Sequence, residues 1–187
     1  MYKRQRRGGA LTLAAGVAVS AVVTAGALWW PADPAGVQSA MPVSALVEGR
    51  VALDVPAGWT VRRVTDGPGS ARVQVMSPLD GGPILHVTQS RVPGADLSAT
   101  AATLRRAMDS EVDAGADGAF VDFNPTDIRG GRPAVTYREL RPGREILWVV
   151  LVDSDVRISI GCQHAAGQGS TVAAPCDAAV RSARRVR

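Results

Sequence analysis

The chain has 187 residues, of which 46% are hydrophobic, and its formal net charge is +4. Four basic residues before position 8 supply this net charge, because the 17 arginines from Pro31 onward are balanced by 17 acidic residues. A nucleic-acid-binding protein needs a basic face that neutralises phosphates, so this distribution argues against that class.

The amino-terminal 30 residues predict a membrane anchor. Residues 1–7 form a basic tail, and residues 8–30 contain no charged side chain. A helix of this length crosses a hydrocarbon core of about 30 Å at about 1.5 Å per residue. Basic residues on the near side place the amino terminus in the cytoplasm, and Trp29 and Trp30 suit the outer interface. We therefore predict one transmembrane helix over residues 8–30, with the rest of the chain outside the cytoplasm.

A cleaved signal peptide is the alternative for this segment. Residues 25–27 read Ala-Gly-Ala, which matches the A-x-A cleavage pattern, and cleavage there also leaves the rest of the chain outside. Residues 31–47 contain Pro31, Pro34 and Pro42 among Ala, Gly and Ser, which predicts an extended linker. Residues 48–187 have the usual size of one domain.

The remaining residues predict strands, a helix, more strands and a closing helix. Alternating apolar residues between Gly- and Pro-containing turns predict strands at 50–55, 59–64, 72–76, 84–90, 120–123, 134–140, 146–153 and 156–162. Leu97, Ala101, Leu104 and Met108 recur at helical spacing, after a cap at Asp96 or Ser98, and a second helix is predicted over 171–186. Short turns favour a mostly antiparallel sheet, so the fold class is α+β with two helices packed on a sheet.

The two cysteines predict a disulfide. Cys162 lies on the apolar face of the last predicted strand, and Cys176 lies on the apolar face of the closing helix. A cysteine pair in a domain outside the cytoplasm is typical of a structural bridge, and no C-x-x-C redox spacing is present. The bridge closes a loop of about 15 residues and contributes roughly 3 kcal/mol by the chain-entropy model.

The inventory of catalytic residues is small. His86 and His164 are the only histidines; we expect a hydrogen-bonded structural role for His86 and an exposed loop position for His164. A zinc site needs at least three protein ligands, and no G-x-S-x-G nucleophile motif occurs. Asp153 and Asp155 flank a tight turn, which favours solvated carboxylates over an acid–base pair. We predict no metal, no cofactor and no enzymatic activity.

The closing arginines are candidates for a contact surface. Arg181, Arg184 and Arg185 suit the carboxyl end of a helix through its dipole, and they could also contact anionic lipid or an acidic partner. Trp59 is the fourth candidate in this surface, and its alternative role is packing in the core.

Six ordered segments form a characteristic set: 55–59 (VPAGW), 87–90 (VTQS), 131–139 (GRPAVTYRE), 146–148 (ILW), 156–163 (VRISIGCQ) and 178–182 (AAVRS). Together they resemble the carboxy-terminal domain of the actinobacterial type VII secretion-associated protein family. Cys176 also fits the pattern, and a ratio of 20 arginines to one lysine suits the GC-rich genome of an actinobacterium. The resemblance implies a membrane-anchored accessory or scaffold protein whose partners are the secretion machinery or its substrates, and it implies no known enzyme activity.

The order of elements is also similar to that of PsbP-like α+β domains, which often serve as accessory or assembly modules. The leading hypothesis is therefore a scaffold that acts by protein–protein contact. An envelope binding module for a lipid, glycan or peptide is the alternative, and it predicts a deep apolar pocket between sheet and helix. An enzyme, the third hypothesis, requires a cleft in which a histidine meets a carboxylate and a nucleophile.

Overall fold

The computed structural model describes residues 41–65, 71–94, 96–113 and 119–187. The predicted tail, the transmembrane helix, the A-x-A motif and residues 31–40 of the linker lie outside these ranges. Within them, neither helix combines the length and the apolar character needed to cross a bilayer.

The described residues form ten strands and two helices. All neighbouring strands in both sheets are antiparallel, which agrees with the predicted α+β class. The elements are β1 (Val43–Glu48), β2 (Val51–Pro56), β3 (Thr60–Thr65), β4 (Ala71–Met76), β5 (Ile84–Arg91), α1 (Leu97–Asp113), β6 (Ala119–Arg129), β7 (Arg132–Arg141), β8 (Arg144–Asp153), β9 (Val156–Ala165), α2 (Ser170–Ser182) and β10 (Arg184–Arg185).

The larger sheet has seven strands in the order β3-β4-β5-β9-β8-β7-β6, and the smaller has the order β1-β2-β10. Two-residue turns join β6 to β7, β7 to β8 and β8 to β9. The β6–β7 turn consists of Gly130 and Gly131, which both have positive φ, as a two-residue hairpin turn whose twist matches the strands requires. The β5–β9 pairing joins strands that are distant in sequence, and α1 and the β6–β8 meander are inserted between them.

The linker assignment is wrong at its end, because β1 occupies residues 43–48 of the segment predicted as 31–47. Leu46 of β1 is buried while Val43 and Val47 are exposed, so the strand alternates and pairs along its whole length with β2. The prolines just upstream favour the interpretation of this segment as an extended linker, so the alternation does not stand out as a strand in the sequence.

The closing helix is shorter than predicted. It ends at Ser182, Ala183 has an extended conformation, and Arg184 and Arg185 pair with β2 instead of continuing the helix. The guanidinium group of Arg132 donates to the carbonyl oxygens of Val180 and Ala183. The carbonyl groups at the carboxyl end of a helix lack intrahelical N–H donors, so Arg132 caps α2 by donating to these two.

The main core lies between one face of the larger sheet and a layer formed by α2 and the smaller sheet. Its members include Val51, Val73, Leu85, Ile160 and Val180. A disulfide joins Cys162 of β9 to Cys176 of α2 with a Cα–Cα distance of 5.8 Å, and it confirms the predicted bridge.

The opposite face of the larger sheet is covered only in part. Asp96 caps α1, its carboxylate accepting from the backbone N–H of Ala99 at 2.7 Å. Ala101 of α1 packs on Val135 and Val150, and this helix contacts β6, β7 and β8. No described helix lies over the same face of β3, β4, β5 and β9. That half of the face is exposed at Arg62 and Arg72 and buried at His86, Ser159 and Gln163.

Candidate functional site

The predicted contact residues do not form one surface. Trp59, just before β3, is half-buried and packs against the main core. Arg184 and Arg185 lie opposite Ala52 and Val51 at one end of β2, whereas Trp59 follows the other end of that strand. The structure therefore separates Trp59 from these two arginines by the length of β2.

The arginines also have structural contacts. Arg185 Nε lies 2.9 Å from Asp155 Oδ1, and Arg91 lies 3.1 Å from the other oxygen. Burial raises the pKa of Asp155, but the charges of Arg185 and Arg91 outweigh this effect and lower it. Arg181 lies against the β6–β7 turn, where a Cβ on Gly130 would be 2.7 Å from its Cγ. Arg181 thus packs on the β6–β7 turn, and the ion pair of Arg185 with Asp155 links β10 to the β8–β9 turn.

Neither histidine hydrogen-bonds a carboxylate of a described residue. His164 is buried, and its Nδ1 lies 2.9 Å from the carbonyl oxygen of Ala165, so the expectation of an exposed loop position is wrong. The reason is that β9 extends three residues beyond its predicted end. His86 is held by the side-chain amides of Gln163 and Gln74, as expected for a hydrogen-bonded structural histidine.

A row of aromatic rings crosses the face of the larger sheet opposite α2. The centroid of Trp148 on β8 lies 6.2 Å from that of Tyr137 on β7 and 6.0 Å from that of His86 on β5. Phe120 of β6 extends the row at 5.8 Å from Tyr137. Between β8 and β5 the row crosses Gly161 of β9, which lacks a side chain, so the indole ring lies directly over its Cα.

A buried carboxylate fixes the indole in place. Glu139 is only 5% exposed, and its Oε2 accepts the Nε1–H of Trp148 at 2.8 Å while Arg141 donates to its other oxygen. A buried charge is tolerated when it is paired and hydrogen-bonded, and both conditions hold here. Packing of one ring face on Gly161 and the hydrogen bond to Glu139 therefore fix the orientation of Trp148.

In a second set of hydrogen bonds, the donor and the acceptor of each bond can be assigned. Arg62 has only donors and bonds Oε1 of Gln74, so the Gln74 amide donates to Nδ1 of His86 at 3.4 Å. The His86 proton then resides on Nε2, which donates to Oε1 of Gln163 at 3.0 Å. Burial lowers the pKa of His86, partly opposed by the bond to Gln163, so the neutral ring in this tautomer is favoured.

These residues belong to a surface that we call the shelf, in which His86 and Gln163 are buried and Arg62 is exposed. It consists of the outward side chains of β3, β4, β5 and β9 on the face opposite α2, with Trp148 at its inner border. Register places Arg62, Gln74, His86 and Gln163 on it, together with the hydroxyl residues of the next rows. The shelf extends roughly 19 Å from Trp148 to β3, at about 4.8 Å per strand.

A second surface lies at the other side of α1. An open groove of about 320 Å³ separates the first turns of α1 from the β6–β7 hairpin, and Ile128 at its border is 61% exposed. An adjoining cavity of about 440 Å³ shares Leu97 and Pro133 with it. The binding-module alternative predicts a deep apolar pocket between sheet and helix, and the structure has an open apolar groove there. Its apolar lining residues are Leu97, Ala101, Pro125, Ile128 and Pro133.

Comparison with known proteins gives similarity in structure only. No protein-family model and no curated protein sequence matches this chain. The solution structure of cyanobacterial PsbP (CyanoP) from Synechocystis sp. PCC 6803 is similar with a TM-score of 0.56 and 19% identity, over 81% of this chain and 96% of that one. The chain has a PsbP-like fold.

Two further solved structures are similar at lower scores. LpqN, which is involved in cell envelope biogenesis of Mycobacterium tuberculosis, has a TM-score of 0.44 and 12% identity, over 78% of this chain and 91% of that chain. A Bacteroides thetaiotaomicron VPI-5482 protein has a TM-score of 0.46 and 10% identity, over 79% of this chain and 50% of that chain. The PsbP-like fold establishes the architecture, and function has to be argued from the surfaces.

Sequence reasoning missed both surfaces of the PsbP-like domain. Trp148 occurs in a strand that is apolar on both faces, and Glu139 occurs in an ordinary alternating strand, so neither stands out. They become neighbours only through the register of β7 and β8. One signal was present: β3, β4, β5 and β9 contain no aspartate or glutamate.

Proposed function

We propose that this chain is an envelope-side accessory protein of a type VII secretion system and acts by binding another polypeptide. In this proposal residues 8–30 anchor the chain in the cell membrane with the amino terminus in the cytoplasm. The PsbP-like domain is then extracytoplasmic and contacts the secretion machinery or its substrates.

Two features support the setting. Disulfides persist in oxidising compartments and are rare in the cytosol, and the domain carries a buried one between β9 and α2. The ordered motifs that resemble the type VII secretion-associated family support an association with the secretion machinery. They are spread over the domain, in β2, β5, β7, β8, β9 and α2.

The exposed Ile128 beside an open apolar groove is the observation that carries the proposed mode of action. Fully burying a large aliphatic side chain is worth about 1.5–3 kcal/mol, so 61% exposure of Ile128 leaves stabilisation that a partner can supply. The groove, at about 320 Å³, is at the lower end of the range for ligand sites and suits an apolar side chain of a partner.

The edge of the sheet adds to this surface. In the described part of the chain β6 pairs only with β7, so its outer backbone groups face away from the sheet. Pro125 and two register shifts interrupt β6, which limits uncontrolled strand addition along most of the edge. The regular stretch from Asp127 to Arg129 lies beside the groove, so an extended partner segment there can combine backbone and apolar contacts. The Ile128 N–H already donates to Asp127 Oδ1 at 2.7 Å, so a partner meets the carbonyl oxygen of Ile128 and not this donor.

Site-specific photocrosslinking in the native host tests the proposal. A photoreactive phenylalanine replaces Ile128 in the full chain, and the matched control replaces Leu79, which is 70% exposed in the β4–β5 turn and does not line the groove. We expect the probe at 128 to capture a type VII channel component or substrate, and the probe at 79 to capture none.

Equal capture from both positions, or capture from 128 of proteins unrelated to secretion, would overturn the proposal. An Ile128→Asp variant provides a second measurement, since it places a charge at the groove without altering a buried residue. We expect it to reduce co-purification of the captured component and to leave the urea unfolding midpoint unchanged.

A further inference from the structure

The shelf concentrates positive charge. β3, β4, β5 and β9 contain five arginines and no acidic residue. Two of these arginines project toward the α2 side and are paired with Glu48 and Asp155. Register places Arg62, Arg72 and Arg157 on the face that carries the shelf. Attraction between opposite charges therefore favours an anionic ligand on the shelf.

The hydrogen-bonding groups of the shelf are also biased toward donors. The direction set by Arg62 runs through Gln74 and His86 and ends at Gln163, which is only 8% exposed and whose oxygen is occupied, so that oxygen is not free to accept from a ligand. The carboxylate of Glu139 at the inner border already accepts from two neighbours. A ligand rich in acceptor oxygens complements this pattern better than one rich in N–H groups.

Trp148 supplies a flat apolar platform beside these donors. Its indole lies over Gly161 on one side, belongs to neither apolar core cluster and is only half-buried. Because Glu139 already holds the ring in one orientation, a ligand that stacks on it loses little conformational entropy in doing so. The C–H face of a sugar ring fits such a platform.

The side-chain composition of the shelf favours a saccharide ligand over a protein partner. Protein interfaces depend on several apolar or aromatic anchors seated in pockets, and Trp148 is the one large aromatic group at the border of the shelf in the described residues. The shelf has two apolar residues at one end, Met76 and Ile84. It otherwise consists of arginine, amide, imidazole and hydroxyl side chains, among which Thr88 is half-buried and Ser159 is buried. Hydroxyl-rich rings with negative groups match this composition.

We propose that the shelf binds an acidic oligosaccharide, with Trp148 stacking on one sugar ring and Arg62 and Arg157 pairing with its anionic groups. This site goes beyond the proposed polypeptide contact. It lies on the same face of the larger sheet as the groove at Ile128, but over different strands.

Titration of the full chain in a neutral detergent tests the site. The probes are trigalacturonic acid, its methyl ester and penta-glutamate, and binding is followed by calorimetry and tryptophan fluorescence. We expect the acid to bind about tenfold more tightly than the ester, since only the acid forms charge-assisted hydrogen bonds. Trp148→Phe should weaken binding and remove the fluorescence change, while retaining an aromatic ring in the row.

Adjacent arginines provide a matched control. Arg62→Gln removes a charge from the shelf, and Arg63→Gln removes one from the opposite face of the same strand. We expect about a tenfold loss of affinity from the first and at most about a twofold loss from the second.

The proposal is overturned if acid and ester bind equally or neither binds, if the two arginine variants behave alike, or if penta-glutamate binds as tightly as the acid. Ile128→Asp should bind the acid like the wild type, so failure at the shelf is distinguishable from failure at the groove.

Discussion

Replacing Gly161 with alanine tests whether the indole of Trp148 is seated on this glycine. A Cβ at this position would lie 2.8, 2.9 and 3.0 Å from three ring carbons, whereas carbon atoms in contact are about 3.5–4.0 Å apart. The indole must therefore move by several tenths of an ångström. That movement lengthens its 2.8 Å hydrogen bond to the buried carboxylate of Glu139.

Two opposing effects determine the size of the change. Overpacking a well-packed site costs about 1–3 kcal/mol. Alanine also restricts the unfolded chain relative to glycine, which stabilises by about 0.4–1 kcal/mol where the backbone suits it. Gly161 has no positive φ, so its backbone accepts alanine. Overpacking is the larger effect, and we expect Gly161→Ala to lower the free energy of unfolding by roughly 1–2 kcal/mol.

A double-mutant cycle with Trp148→Leu assigns this loss to the ring contact. Urea unfolding is measured for the wild type, both single variants and the double variant. Without the indole, alanine at position 161 should be neutral or slightly stabilising, which gives a coupling energy of about 1–2 kcal/mol. An equal cost of Gly161→Ala in both backgrounds would refute the seating of the ring.

Three other changes have expected outcomes. Replacing Cys162 and Cys176 with alanine removes a bridge between positions 14 apart and should lower the free energy of unfolding in urea by about 3 kcal/mol. A reductant should lower the free energy of unfolding of the wild type but not of this variant. A wild type whose stability does not change with reductant would contradict the prediction. Burial lowers the pKa of His86 below the ordinary value of about 6.5. The unfolded chain therefore binds more protons below that pH, and the stability that His86 contributes should be full above it and fall as the pH decreases toward the folded pKa. His86→Gln should remove this component from urea midpoints measured between pH 7.5 and 5. Arg132→Met removes the cap of α2 and should cost about 1.5–3 kcal/mol, whereas Arg129→Met, which breaks an exposed ion pair, should cost at most about 1 kcal/mol by the same measurement.

Much of the secondary structure could be predicted because apolar periodicity is a local property. The strands around Val73, Leu85 and Ile160 alternate clearly, and the helical spacing from Leu97 to Met108 identifies α1. The failures occur where local signals conflict. β6 continues to Arg129, but its two register shifts and the positive φ of Asp122 destroy the alternation that would reveal a strand.

Neither candidate surface could be predicted in the same way, since each depends on pairing between distant segments. His86 and Gln163 are 77 positions apart and meet only because β9 inserts beside β5. Groove residues come from α1 and both strands of a hairpin whose bulges are set by tertiary packing. The absence of acidic residues from four strands is visible in the sequence, but it becomes a surface property only once those strands are known to be neighbours.

The smaller sheet has a consequence for the order of folding. Its central strand β2 pairs with β1, which precedes it directly, and with β10, which follows the last helix. The backbone N–H of Asp54 also donates to the Ser182 hydroxyl, 128 positions away. A chain that emerges amino terminus first can form the β1–β2 hairpin early but completes this sheet only after residue 185 has emerged. Such distant pairings predict slow folding, because long loops must close before the pairings form.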